Sequence, residues 1–210
     1  MSRIAALLVG TPQTYVGEDG KPWRSAIYKN PVEGPVALGE RNLAGDGVAD
    51  TKNHGSIDMA VCVYPLSHYA LWNAEFGARL GPGCVGENLT VEGQDESSVC
   101  IGDVFRVGTA LVRVSQPRFP CFKQERRTGV EGFLKAVFET RRTGWYLRVL
   151  EPGTLQNGDE LTLVERPLPE ISVAATNEAM YGSDPELAQR FSRLELLSAA
   201  WRRSLARKRD

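Results

Sequence analysis

Short apolar runs broken by glycine, proline and aspartate dominate the first 165 residues. Residues 4–9 (IAALLV), 60–64 (AVCVY), 104–107 (VFRV), 111–115 (LVRVS), 145–149 (WYLRV) and 160–164 (ELTLV) are rich in valine, leucine and aromatics. Bounded by turn formers, they are predicted strands. The spacing of 104–107 and 111–115 predicts a hairpin around Gly108 and Thr109, and Gly158-Asp159 predicts a turn into the last strand. Strands joined by turns rather than by regular helices favour a barrel over a doubly wound sheet. Two inserted helices are expected. In 65–76, Pro65 suits a first helical position, and Tyr69, Trp72 and Phe76 follow at helical spacing. In 130–138, Val130, Phe133, Leu134, Val137 and Phe138 make a core-facing stripe.

The texture changes at 165–170 (ERPLPE), where Pro167 and Pro169 suit a linker. Ser172 is a helix cap for a segment through about Ala179. Asp184-Pro185-Glu186 has the form of a cap, a first-position proline and an acidic first turn. Ser192 and Glu195 have capping-box spacing, and Leu194, Leu197, Trp201 and Leu205 then share one face. The pattern divides the chain into a mainly β barrel with inserted helices (1–166) and a small three-helix C-terminal unit (167–210). So small a unit has a marginal core of its own and must dock on the barrel or on another subunit.

Composition narrows the function classes. With 210 residues, 42% apolar and 24% charged, the chain can bury a substantial core without staples, and wholesale disorder is excluded. Twenty-five Lys and Arg against 26 Asp and Glu argue against a dedicated nucleic-acid binder. The balance is uneven: residues 201–210 carry +4, leaving −5 on residues 1–200. Cation-rich helix ends of this kind commonly complement the helix dipole. No apolar run approaches the ~18 residues of a membrane span, and MSRIAALLVG reads as a first strand rather than a secretory signal. A cytoplasmic protein without a membrane association is expected.

The chemistry rests on few side chains. Cys62, Cys84, Cys100 and Cys121 contain no C-x-x-C pair, and only two histidines are present, which argues against a zinc site and a disulfide framework. Cys62, Cys84 and Cys100 lie in or beside strands or turns and read as structural. Cys121 differs: in QPRFPCFK two prolines fix its approach, and Arg118 and Lys123 flank it. Nearby cations favour a thiolate, which is both nucleophile and soft-metal ligand. His54 lies in a polar glycine-rich loop, 45–61, where a site or merely an exposed histidine is possible. His68, one turn before Trp72, reads as a packing or surface residue. Glu87 and Asn88 after Gly86 suit a tight corner or a ligand contact. Arg148 alternates with Tyr146 on one strand face and could reach an anion or form an ordinary salt bridge. Neither a Rossmann fingerprint nor a P-loop is present.

Taken in order, SAIYKNPVEGPVALG (25–39), GDGVADTKNHGSIDMAVCVYP (45–65), GENLTVEG (86–93), IGDVFRVG (101–108), QPRFPCFK (116–123) and TGWYLRV (143–149) resemble the MOSC-domain family (molybdenum cofactor sulfurase C-terminal domain), in particular its YiiM-like branch. The helical tail is similar to that branch's C-terminal extension. One departure is Ser56, where the family often has a second glycine after H-G.

The resemblance implies a largely antiparallel β-barrel and a site for molybdenum cofactor, a molybdopterin ligating molybdenum. Cys121 matches the metal- or sulfur-binding cysteine, and Lys29 and His54 match the residues grouped with it. In this reading Cys121, His54 and Lys29 are catalytic, with Cys121 as the metal ligand. Arg118, Lys123 and Arg148 join them in holding the cofactor, because an anionic pterin needs neutralising partners, and Asn88 joins as a ligand contact. The implied activity is reduction of N-hydroxylated compounds, such as 6-N-hydroxylaminopurine and related base analogues, to amines. Electrons would come from a separate donor protein, since no flavin, haem or iron–sulfur motif is visible. The alternative is a non-catalytic carrier of molybdenum cofactor, or of sulfur as a Cys121 persulfide. A homodimer is compatible with the helical unit.

Overall fold

The structure is a computed structural model of the chain; it describes residues 1–17 and 20–208, the side chains of residues 53 and 54 excepted. The strands are β1 (Arg3–Val9), β2 (Gln13–Val16), β3 (Pro22–Ser25), β4 (Asn30–Pro31), β5 (Val36–Leu38), β6 (Val61–Pro65), β7 (Leu89–Glu92), β8 (Val104–Val107), β9 (Ala110–Pro117), β10 (Trp145–Glu151), β11 (Gly153–Leu155) and β12 (Leu161–Glu165). The helices are α1 (Thr51–His54), α2 (Leu66–Phe76), α3 (Phe122–Thr128), α4 (Phe133–Thr140), α5 (Val173–Tyr181), α6 (Pro185–Phe191) and α7 (Ala199–Ala206).

Eight strands form one mixed sheet in the order β12-β8-β9-β10-β6-β7-β1-β4. Every pairing is antiparallel except β6 with β7, which are parallel and therefore need the crossover helix α2. The sheet curls into a half-barrel whose edges touch at one end. There Arg3 bridges Glu160, Ile4 N–H donates to Asp159 O and Leu161 N–H donates to Ser2 O, both at 2.9 Å. The Gly108-Thr109 hairpin and the Gly158-Asp159 turn form as expected, with Val107 paired to Ala110.

β6 reads as continuously apolar because both its faces are covered. Val61 and Val63 enter the main core with Ile4, Leu7, Leu89, Val91, Val112 and Leu147. Tyr64 faces the opposite way, into a second cluster of Tyr69, Trp72, Phe133 and Val137 supplied by α2 and α4. Cys62 shares that outer face and borders a cleft. Helix α4 begins at Phe133, not at Val130, because Gly132 sits at φ 77° and ends the preceding turn. Its Phe138 is exposed rather than core-facing. Among the described residues no helix is long and apolar enough to cross a membrane.

The three C-terminal helices share a core with the sheet. Val173, Ala179, Ala188, Phe191, Leu197, Trp201 and Leu205 belong to the same buried cluster as the barrel strands, and Phe119 stacks on Trp201 with centroids 4.7 Å apart. Ser172 and Asp184 cap α5 and α6 as their sequences predict. The Ser192 capping box does not form. Ser192 instead ends α6, and residues 193–197 make turns. Ser198 caps the last helix through its hydroxyl, while its N–H donates to Ser115 O of β9. That tie to the sheet, with burial of Leu197, outweighs the local box.

Trp201 is fully buried where tail and barrel meet. Trp201→Ala is expected to cost about 3–5 kcal/mol, with one cooperative urea transition for the whole chain moved to lower denaturant. A separate early transition of the tail would show instead that the two parts fold independently.

Candidate functional site

A cleft opens beside the outer face of β6 and β10. It is walled by the segment after β3, the loop 41–50, the Gly86–Asn88 corner and the Arg118–Lys123 segment. Counted out to its open mouth it holds about 770 Å³ of empty space.

Its floor is set by one buried polar node. Lys29 Nζ lies 2.5 Å from Asp46 Oδ1, with side chains only 7% and 5% exposed. The same carboxylate accepts from Gly10 N–H at 2.9 Å and from Asn88 Nδ2 at 2.9 Å. Asn88 in turn ties two strands together. Its N–H donates to Cys62 O and its Oδ1 accepts from Cys62 N–H, while its C=O accepts from Leu8 N–H. The preceding Gly86 must be glycine: its φ is +80°, and a Cβ there would stand 2.5 Å from Ile27 Cγ1. The corner therefore alternates. Gly86 and Asn88 line the cleft, while Glu87 turns inward, where its Oε1 accepts from Tyr69 Oη, Thr90 Oγ1 and Gly83 N–H.

The Arg118–Lys123 segment brings the positive charge. Its backbone is pinned by Arg118 N–H donating to Gly144 O at 3.0 Å. Arg118 is 7% exposed, yet its Nη1 is buried without a partner. Burial works against its charge, but the ionisable Cys62, Tyr146, Cys121 and Glu87 around it move its pKa up rather than down, and the guanidinium, which proteins do not deprotonate, stays charged. Cys121 is half-buried at the start of α3 in extended conformation, and its N–H donates to Gln124 Oε1 at 3.0 Å. Lys123 Nζ reaches Arg24 O at the rim.

Cys62 and Tyr146 face each other across β6 and β10 and both line the cleft. Burial pushes the Cys62 thiol up, opposed by Arg118. Burial likewise raises Tyr146, reinforced by Cys62. Both groups keep their protons at neutral pH.

Lys29, Asn88, Arg118, Cys121 and Lys123 are thus brought to one cleft. Arg148 is not. It pairs with Asp58 at 3.3 Å, two residues along the same β10 face from Tyr146. The side chain of His54 lies outside the described residues. His68 is buried, with Nε2 2.7 Å from Glu96 Oε2, and packs against Tyr64. Sequence reasoning did not single out Cys62, Tyr146, Asp46 or Arg41, which also line the cleft. The alternation of β6 held the signal for Cys62, opposite in facing to Val61 and Val63.

Among the described residues no group of three or more His, Cys, Asp and Glu side chains is placed to cage a metal ion. A metal that arrives with its own sulfur ligands needs only one more from the protein, and Cys121 can give it. The unpartnered Arg118 Nη1 fits the anion that such a cofactor carries.

The chain is similar to known proteins along most of its length. The MOSC domain profile matches residues 50–162. The uncharacterized protein YflK of Bacillus subtilis is 43% identical over 99% of this chain and 94% of its own. The crystal structure of YiiM from Geobacillus stearothermophilus superposes with a TM-score of 0.83 at 34% identity, covering 98% of both chains. A protein named reductase from Gibberella moniliformis is 40% identical over 71% of this chain, which makes up 27% of that longer protein.

The node generates a stability prediction. Asp46→Asn leaves a buried ammonium without its counter-charge and should cost about 3–5 kcal/mol in urea unfolding. A loss below about 1 kcal/mol would show that the pair does not anchor the cleft.

Proposed function

The chain belongs to the MOSC domain family, and from that premise we propose that it is a cytoplasmic oxidoreductase that binds molybdenum cofactor and reduces N-hydroxylated compounds, base analogues among them, to amines. The observation that carries this reading is the charged, nine-tenths-buried Arg118 with a free Nη1, set in the same cleft as the accessible Cys121 thiol. A soft sulfur donor beside an unsatisfied cation suits a ligand that is both metal-bearing and anionic.

In this reading Cys121 Sγ ligates the metal. Arg118 Nη1, Lys123 and Arg41 meet the anionic part of the cofactor, and Lys29 faces the same cleft with ammonium donors beyond the one given to Asp46. The cofactor, when bound, supplies the two-electron chemistry. The overall change breaks one N–O bond: R–NHOH takes up two electrons and two protons and yields R–NH2 and water. In this reading the electrons come from a separate carrier protein. The chain's own task is to hold the cofactor and manage protons. Tyr146 Oη and Cys62 Sγ keep theirs at neutral pH, and His54, the residue the family resemblance groups with Cys121, is the proton donor of this reading.

Protein purified from a cofactor-making host should contain molybdenum and pterin and reduce 6-N-hydroxylaminopurine with an artificial donor. Cys121→Ala should lower that reduction to background while thermal unfolding stays near wild type. Full activity in the folded variant would overturn the assignment. Bound cofactor without turnover in the wild type would support a carrier, and a Cys121 persulfide without cofactor would support sulfur relay.

A further inference from the structure

A second groove lies against the wall of the cleft. It is built by the β2–β3 hairpin, the segment that follows it, and α3. Three rings cluster there: Tyr15 and Tyr28 have centroids 4.3 Å apart, and Tyr15 and Trp23 5.2 Å. Phe122 faces them across the groove and is 53% exposed. The exposed Arg126 lies with its guanidinium carbon 5.5 Å from the Trp23 ring centroid and 5.4 Å from that of Phe122, and Arg127 lies 4.6 Å from Tyr28. A flat, delocalised cation is thus within stacking distance of two rings at once. A planar heteroaromatic ring can use the same surfaces, because bases stack both on aromatic side chains and on guanidinium planes.

The groove and the cleft are contiguous. Trp23 lines the groove while Ser25, two residues along β3, lines the cleft. Phe122 lines the groove while its neighbours Cys121 and Lys123 line the cleft. The Lys123–Arg24 hydrogen bond at 3.2 Å joins these two walls. The groove and the cleft therefore share the wall that β3 and the start of α3 form.

We infer that this groove is the subsite that seats the planar heteroaromatic ring of the substrate, with Trp23, Phe122 and Arg126 as its specificity-determining residues. The inference rests on the reductase reading for the identity of the substrate, but the ring-binding itself does not.

The test uses this difference. Of the four tryptophans, Trp72, Trp145 and Trp201 are buried and Trp23 is partly exposed, so a ligand stacked in the groove quenches mainly Trp23. Full-length protein without cofactor is titrated with adenine, with cyclohexylamine as the saturated control. Saturable quenching by adenine alone is expected, roughly tenfold weaker in Phe122→Ala, which removes a ring that is already half exposed. In loaded protein, Phe122→Ala should lower kcat/KM for 6-N-hydroxylaminopurine by a similar factor and leave that for acetohydroxamic acid, which has no ring, unchanged. Absence of saturable quenching overturns the inference whatever the protein reduces. Quenching without reduction of any N-hydroxylated compound upholds the groove and defeats the reductase reading. Intact adenine quenching in Phe122→Ala, with only protein-donor-driven turnover slowed, overturns the inference in favour of a docking surface for the electron donor.

Discussion

The buried contact between Lys29 and Asp46 organises the molecule around its cleft. Two opposite charges almost wholly removed from water each carry a desolvation cost of several kcal/mol, and only well-placed partners offset it. Asp46 has those partners in Gly10 N–H and Asn88 Nδ2. Through Asn88 the node reaches Cys62 on β6 and Leu8 on β1, strands that are separated in the sheet by β7. The loop carrying Asp46 is otherwise irregular, and this carboxylate, together with Gly47 N–H donating to Gly10 O at 2.9 Å, fixes where the loop lies against the sheet. Replacing the pair by apolar residues could hold the loop equally well, but it would leave no ammonium at the floor of the cleft.

Electrostatics divide the cleft into two sorts of group. Arg118 remains charged and lines the cavity, and its buried Nη1 has no protein partner, while Lys29 is held by Asp46. Cys62 and Tyr146, buried against that guanidinium, are held in their protonated forms. Cys121 stands apart from this buried set, half-exposed at the start of α3. A cleft with a fixed cation, two retained protons and one accessible sulfur is suited to an anionic soft-metal cofactor, and poorly suited to a bare ion that needs several protein ligands at once.

Much of this was legible in the sequence where local pattern and tertiary outcome agree. The six long apolar runs became strands within a few residues of their expected bounds, because valine-rich segments between turn formers have little else to do. Gly86, Asn88, Arg118, Cys121 and Lys123 were brought together as their motifs suggested. Short strands such as β4 and β5 were illegible, since two or three residues carry no periodicity. The Ser192 box failed because Ser198, bonded to Ser115 on a strand far away in sequence, is the better cap once the sheet exists. Cys62 was read as structural because it lies in a strand; only its facing, opposite to Val61 and Val63, separates it from the core. Arg148 shares a face with Tyr146 as the alternation implied, but Asp58 from the turn before β6 reaches it first.

The central claim is that the Cys121 sulfur completes the coordination of a molybdenum centre held in this cleft. Molybdenum K-edge X-ray absorption on protein loaded with the cofactor tests it directly, by comparing the wild type with Cys121→Ser. The account predicts that the variant retains the sulfurs belonging to the cofactor and loses one sulfur neighbour of the metal. An unchanged molybdenum–sulfur shell in the loaded variant would contradict it.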